Sequence, residues 1–573
     1  MKAGIYSTDP VDFLYCSLRA EAPLTIICVV RITVSGGSQP CREEGASHVS
    51  AARQERRDVL LGGNMFSRIR SAAIIGIDVI PVSVETDISD GLPQFTMVGY
   101  VTGQVREAGD RVRTSLKNIG FRMPPERVTV NLAPADVLKS GSHFDLPIAL
   151  GLLSCMEKVP PDSIRNIMAV GELSLSGELV PVAGILPIAL KAREMGISVL
   201  IVPEENEGEG RVVSDLQILG FHRLPEVVEF LRHGTLPARI PGPEKSAQLN
   251  AYDLDFRDIR GQEAVKRAAC IAAAGFHNLL MIGPPGAGKT MLARRMPTIM
   301  PPLTMDESLE ISGIYSIAGL LSSEQPVVGV RPFRSPHHTL SPQALAGGGK
   351  IPKPGELTLA HRGILFLDEM PEFKRGSLEI LRQPLEDREI VIARNAGTFH
   401  FPANFLLMAA MNPCPCGYYP DLNRCRCSHR DIQLYMNRIS QPLLDRIDLC
   451  VECSPVTYDE LTGAAEAGES SAEIREKVMR AHEVQQARFA GTGIHFNSEI
   501  PSAKLSEFCP CDEGAEKVMM DAFSSMRLSA RGYHRIIKVA RTIADLDGAQ
   551  VIRREHAAEA VCYRMIDRKY WTR

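Results

Sequence analysis

No stretch of this chain is hydrophobic for long enough to cross a membrane: the longest early apolar run, Leu24 to Val30, is seven residues where about 18 are needed. Neither sign of charge is in excess. There are 64 Lys+Arg against 68 Asp+Glu and a formal charge of −4, which excludes histone-like bulk basicity. A locally basic groove for nucleic acid remains compatible with that balance. An export signal is also missing, because acidic Asp9 and Asp12 precede the apolar run and no small-residue cleavage site follows it. The composition is not that of a disordered chain, since 45% of residues are hydrophobic and 23% charged. With 573 residues there is room for three or four domains of about 150 residues. The 14 cysteines are scattered singly apart from one tight cluster. Without an export signal they read as reduced thiols in a cytoplasmic protein.

Residues 1–64 alternate short apolar pieces with Ser, Gly, Arg and Glu and keep no sustained period. From Met65 the pattern sharpens, with Ile74, Ile75, Ile77, Val79, Ile80, Val82 and Val84 marking buried strands. The first segment therefore reads as a non-native or disordered extension. Either translation starts at Met65, with Gly62-Gly63-Asn64 encoded by a ribosome-binding sequence, or the segment is a real tail. An α/β domain is expected over 65–235, with a strand at 127–132, a helix at 146–153 and a hairpin of 169–175 with 178–182. A helix at 185–195 and a strand at 199–202 follow. The Pro- and Gly-bearing stretch 236–254 reads as a linker, 255–455 as a second α/β domain, and 473–573 as helical. The clearest helical runs are 514–526, 529–546 and 553–566.

The chemistry concentrates in the second α/β domain. Gly283, Pro284, Pro285, Gly286, Ala287, Gly288, Lys289 and Thr290 fit G-x-x-x-x-G-K-[ST], after an apolar strand at 279–282 and before a helical run. Glycines let backbone N–H groups close around β- and γ-phosphates, Lys289 supplies a point charge, and the Thr290 hydroxyl is a Mg²⁺ ligand. Ile364 to Leu367 is an apolar strand ending in Asp368-Glu369. In the same sheet, Asp368 would stand beside the metal and Glu369 within reach of the attacking water as general base. A third strand at 405–410 leads to Asn412, which either orients that water or is a turn residue before Pro413.

These motifs, with Pro442-Leu-Leu-Asp-Arg446, resemble the AAA+ ATPases of the magnesium-chelatase and MCM-helicase clade. Three strings narrow the resemblance to the YifB/ComM family: Asn131-Leu-Ala-Pro-Ala-Asp136, Phe333-Arg-Ser-Pro-His-His338 and Asn412-Pro-Cys-Pro-Cys-Gly417. Ser529-Ala-Arg531-Gly-Tyr-His-Arg535 belongs with them. The resemblance spans 65–573. It implies that Arg446 matches the arginine finger that reaches a neighbouring subunit's γ-phosphate. Arg531 matches the sensor-2 arginine of a helical lid at 473–573, so the active form is a homo-oligomeric ring, usually a hexamer. Arg438 is a reserve finger, and Gln441 stands where the family pattern usually has Gly. The front domain resembles the proteolytic domain of Lon-type enzymes without its Ser/Lys dyad. Gly141-Ser142-His143 puts histidine at the nucleophile position, and Leu186 stands at the lysine position.

The family resemblance further implies an ATP-driven motor on DNA, a helicase or branch-migration factor in recombination or natural transformation. The alternative is a chelatase-type motor that remodels protein partners without DNA. Two insertions bear on this choice. One is Val330–Gly349 with Arg331, Arg334, His337, His338 and a glycine triplet; the other is a hairpin of 389–394 with 398–401, turning at Asn395-Ala-Gly397. Arg394 and Lys350 are candidate contacts to a phosphate backbone. Adjacent histidines on a strand point apart, so His337 and His338 are not assigned a metal. Cys414, Cys416, Cys425 and Cys427 put four cysteines within 14 residues, where composition predicts about 0.3. They either surround a structural Zn²⁺ or are free thiols or a redox pair; His429 is a substitute ligand. Cys450/Cys453 and Cys509/Cys511 read as structural.

Overall fold

Alternating and continuous apolar runs build the strands of this mixed α/β protein. The structure, a computed structural model, describes residues 5–8, 11–14, 65–236, 254–322, 324–349, 351–394, 397–455 and 468–571. The chain divides into two units, Met1–Asn64 and Met65–Arg573. The described part of the first is an antiparallel hairpin of β1 (Ile5–Thr8) and β2 (Val11–Leu14). The rest of the expected extension, nearly all of the expected linker 236–254, and Lys350 lie outside the described residues. No helix among the described residues is long and apolar enough to cross a membrane.

In the second unit, β3 (Met65–Ile75) and β4 (Asp78–Ser89) form a long antiparallel pair. Along β4 the buried residues Val82, Val84, Thr86 and Ile88 alternate with partly exposed ones, the signature of a sheet with one face in the core. Next come β5 (Gln94–Val98), α1 (Gly103–Asn118), β6 (Arg127–Ala133) and α2 (Asp145–Cys155). After them follow β7 (Ile167–Ala169), the hairpin β8 (Glu172–Leu173) with β9 (Leu179–Val180), and α3 (Ile185–Glu194). Then β10 (Val199–Pro203), β11 (Gln217–Phe221) and α4 (Leu224–His233) complete this layer. The sheet order is β11-β10-β7-β3-β4-β6-β5. The hairpin is shorter than the sequence suggests, because Ala169 is drawn into the sheet beside Ile201 instead. Helix α1 turns Val105, Ala108, Val112 and Leu116 into the core at helical spacing.

The second sheet is parallel throughout. It follows α5 (Glu263–Gly275) and contains β12 (Leu279–Ile282), after which come α6 (Lys289–Arg295) and α7 (Met305–Ile317). Its edge is β13 (Phe333–Arg334); a small hairpin of β14 (Gly347–Gly348) and β15 (Lys353–Pro354) lies before β16 (Ile364–Leu367). The hairpin β17 (Glu389–Arg394) with β18 (Gly397–Pro402) precedes β19 (Leu406–Met411), α8 (His429–Met436) and β20 (Leu449–Glu452). The order β13-β16-β19-β12-β20 buries β12, β16 and β19 completely, as the continuous apolar runs of a parallel sheet require. The two layers meet where the Gly184 N–H donates to Ser316 O at 3.1 Å and the Ser316 hydroxyl donates to the buried Glu209 carboxylate.

Four longer helices close the chain: α9 (Ser471–Arg488), α10 (Glu513–Met526), α11 (Ala530–Leu546) and α12 (Arg554–Trp571). Between α5, α9 and α11 lies a buried polar network. Asp545 accepts from Asn497 Nδ2 at 2.8 Å, from Arg488 Nη1 at 2.9 Å and from Arg541 Nε at 3.1 Å, with Arg541 fully buried. Asp545→Ala would strand two guanidinium groups away from water. It should therefore cost about 3–5 kcal/mol, the usual penalty for removing one partner of a buried charged set. Denaturant unfolding of the variant checks this; a loss within about 0.5 kcal/mol, the range of a surface substitution, would refute it.

Candidate functional site

The phosphate loop lies at the carboxyl end of β12, between β19 and β20, where ligands of open α/β sheets bind. It turns into α6 through Gly288, whose φ of +80° is strained for any residue with a Cβ. Lys289 is 9% exposed, and its ammonium donates to Gly283 O at 2.6 Å, Pro284 O at 2.9 Å and Asn412 Oδ1 at 3.2 Å. Burial lowers its pKa from the ordinary lysine value, and Cys453, Asp368 and Glu369 pull in the opposite direction.

Thr290 Oγ1 donates to Asp368 Oδ2 at 2.6 Å, and the Glu369 N–H donates to Asp368 Oδ1 at 3.0 Å. A hydroxyl and a carboxylate in contact at the end of the loop are the hard oxygen donors that suit Mg²⁺. Glu369 adopts a left-handed backbone, φ +50° and ψ +46°, a sparsely populated state that clusters at functional sites. Its carboxylate is exposed and faces His338, whose Nδ1 lies 3.8 Å away. The fold thus brings Lys289, Thr290, Asp368, Glu369 and Asn412 together, with β19 between the carboxylate strand and the loop. His337 and His338 do not point apart: their rings lie 4.1 Å from each other in a turn, where strand alternation does not apply.

Arg446 and Arg531 lie elsewhere. The Arg446 carbonyl accepts from Asn278 Nδ2 at 2.9 Å, just before β12 begins, so Arg446 sits at the amino end of the sheet. The length of β12, about 13 Å at the usual rise, separates that end from the chain's own phosphate loop. Arg446 is 8% exposed; it donates to Pro442 O at 2.7 Å and pairs with Glu386. Arg531, at the start of α11, is exposed and donates to the other oxygen of the same Glu386 carboxylate at 2.8 Å. Nothing in the sequence singles out Glu386, an acidic residue in the short helix Pro384–Asp387. Arg438 pairs with Glu372 at 2.8 Å, on the side of its own Glu369. Asp448, nearby, would be raised by burial, but Arg535 at 2.6 Å, His277 and the Asn278 N–H hold it well below the carboxylate range.

The two insertions meet. In the β17–β18 hairpin, Ile390, Ile392, Phe399 and Phe401 are buried, and Phe399 packs beside Gly76 of the front layer. Arg394 is exposed at the hairpin end, with its Nε 3.5 Å from Gly349 O. Arg331 and Arg334 are structural. Arg331 is buried and donates to Pro301 O, Arg362 O and Glu307, while Arg334 forms a bidentate pair with Glu356 at 2.7 Å.

The four clustered cysteines converge. Their sulphur atoms all lie within 4.8 Å of one another; Cys414 is 3.3 Å from Cys416 and 3.7 Å from Cys425, and Cys416 is 3.6 Å from Cys425. A tetrahedral zinc with bonds of about 2.3 Å has sulphur–sulphur edges of about 3.8 Å, so the set is compatible with zinc. In the front layer, Ser142 donates to Glu172, His143 is buried with its pKa pushed down to about 4 by burial, and Leu186 is in the core.

Three family models match: "Magnesium chelatase, subunit ChlI" over residues 255–461, "Subunit ChlI of Mg-chelatase" over 84–206, and "Magnesium chelatase, subunit ChlI C-terminal" over 468–564. The chain is 43% identical over 505 residues to competence protein ComM of Haemophilus influenzae, covering 87% of this chain and 97% of that protein. It is 42% identical over 502 residues to protein YifB of Escherichia coli, covering 88% and 97%. A magnesium-chelatase 38 kDa subunit from Rhodobacter capsulatus is 25% identical over 342 residues, covering 55% of this chain and 87% of the subunit.

Proposed function

The chain belongs to the YifB/ComM family of magnesium-chelatase-like proteins, and on that premise we propose that it is an ATP-hydrolysing AAA+ ring motor acting on DNA. The observation that carries the ATPase reading is the Thr290–Asp368 contact at 2.6 Å with Glu369 beside it and Asn412 on Lys289. The loop 283–288 and Lys289 would hold the phosphates, and Thr290 with Asp368 would hold Mg²⁺, which when bound would supply positive charge at the transferred phosphoryl group. Glu369 takes the proton from the attacking water, and Asn412 orients that water.

Arg446 and Arg531 stand at the far end of the sheet from their own loop, which supports a ring, by family expectation a hexamer, in which both serve a neighbour's γ-phosphate. The arginine-tipped hairpin beside the glycine turn supports DNA as the track, contacted through its phosphates. The relative named competence protein ComM supports a role in competence; helicase or branch-migration work in the cytoplasm is what the family resemblance adds to this reading. Ser142 on a carboxylate and Leu186 in the core support a front domain of Lon type without protease chemistry. The match to a magnesium-chelatase subunit favours one other reading, a motor that remodels proteins. Steady-state hydrolysis with and without DNA separates the two. Stimulation by DNA is expected; turnover indifferent to single-stranded, duplex and forked DNA would favour the protein remodeller.

A further inference from the structure

The loop that carries the four cysteines touches the phosphate loop on one side and the last helix on the other. It leaves β19 at Asn412, whose Oδ1 accepts from Lys289. Gly417 then comes so close to the phosphate loop that a Cβ there would stand 2.6 Å from Pro285 Cδ, and its φ is +85°. The Tyr419 N–H donates to Cys414 Sγ at 3.4 Å, and its ring meets Tyr570 of α12 edge-on at 6.3 Å. Tyr570 in turn donates to Glu452 at 2.7 Å, at the end of the strand that pairs with Ile282. Between Asn412 and Ser428 there is no helix or strand, residues 420–424 are all exposed, and Leu422 is 81% exposed. An irregular loop of this length with so little apolar burial needs a cross-link to hold its shape.

We propose that a zinc ion held by Cys414, Cys416, Cys425 and Cys427 clamps this loop against Pro285, so that metal occupancy sets how tightly the phosphate loop holds a nucleotide. The proposal rests on reading Gly283–Thr290 as the ATP site. Binding is ligand exchange: the four thiols release their protons to solvent, zinc sheds water, and no oxidant or reductant is involved. Cys425 and Cys427 lie on the returning half of the loop, so their effect on the phosphate loop must pass through the metal and Gly417.

The test uses the full chain, zinc itself as the metal probe and a fluorescent ATP analogue with Mg²⁺. Wild type is expected to carry about one zinc per chain, and a Cys425→Ser/Cys427→Ser variant none. Stripping zinc from wild type with a chelator should weaken nucleotide binding about ten-fold, with recovery on adding zinc back. That arm decides the matter even where the double variant fails to fold. Gly417→Ala should keep its zinc and still bind nucleotide several-fold more weakly, because the added methyl pushes Pro285. Absence of zinc, or affinity unchanged within two-fold after zinc is removed, overturns the clamp. Zinc-loaded wild type that binds no nucleotide contradicts the ATP-site reading itself, and the clamp with it.

Discussion

Glu369→Gln is expected to bind ATP with near wild-type affinity and to hydrolyse it at least about a hundred-fold more slowly, the usual contribution of a general base. The substitution keeps the size of the side chain and removes its basicity. It leaves Lys289 on its loop and the Thr290–Asp368 contact at 2.6 Å intact, so the groups that hold phosphate and metal stay in place. The Glu369 N–H continues to donate to Asp368, which fixes the left-handed turn from the backbone rather than from the side chain. Binding and turnover should therefore separate cleanly. Equilibrium binding of a labelled ATP and single-turnover hydrolysis measure the two. Turnover within a few-fold of wild type would remove Glu369 from the role of base and turn attention to other groups near the attacking water.

Arg446→Ala is expected to bind ATP nearly normally and to hydrolyse it about a thousand-fold more slowly, the effect of losing an arginine finger. Its position at the amino end of β12 separates it from its own phosphate loop, and the proposed ring gives it to a neighbour. Glu386 holds Arg446 and Arg531 by its two oxygens, so both arginines reach a common point; in the proposed ring they would exchange that carboxylate for a neighbour's phosphate. Mixing Arg446→Ala with Lys289→Ala tests action in trans. Mixed rings contain sites that pair an intact Lys289 with an intact Arg446 from the next subunit, so activity should exceed that of either variant alone. If mixed rings form and stay inactive, the finger is not Arg446. Arg438 is then the next residue to test, although its pairing with Glu372 places it on its own nucleotide side.

What the sequence made legible was local and continuous. Leu279–Ile282 and Ile364–Leu367 read as strands because a parallel sheet buried on both faces needs unbroken apolar runs. Thr290 and Asp368 are 78 residues apart, and their motifs placed each beside the metal, since each motif includes its strand; the direct contact between them comes from the structure. Helix α9 was harder to see, being largely polar. The structure shows a capping box at its start, in which the Ser470 hydroxyl and Glu473 carboxylate satisfy each other's backbone N–H groups; Ser470-x-x-Glu473 is the local signal that could have marked it. Contacts set by distant partners left no local trace: Glu386 under two arginines, the facing of His338 to Glu369, and the approach of Gly417 to Pro285. The near burial of Arg446 was equally invisible, because exposure is set by which helix covers a residue.

The most direct measurement for a DNA motor is strand separation on a forked or branched duplex, with the full chain, ATP and Mg²⁺, and Glu369→Gln as the control. The account predicts separation that requires hydrolysis, disappears in Glu369→Gln and falls when Arg394 is changed to Ala. An active ATPase that assembles into rings yet neither binds nor separates DNA of any structure would contradict it.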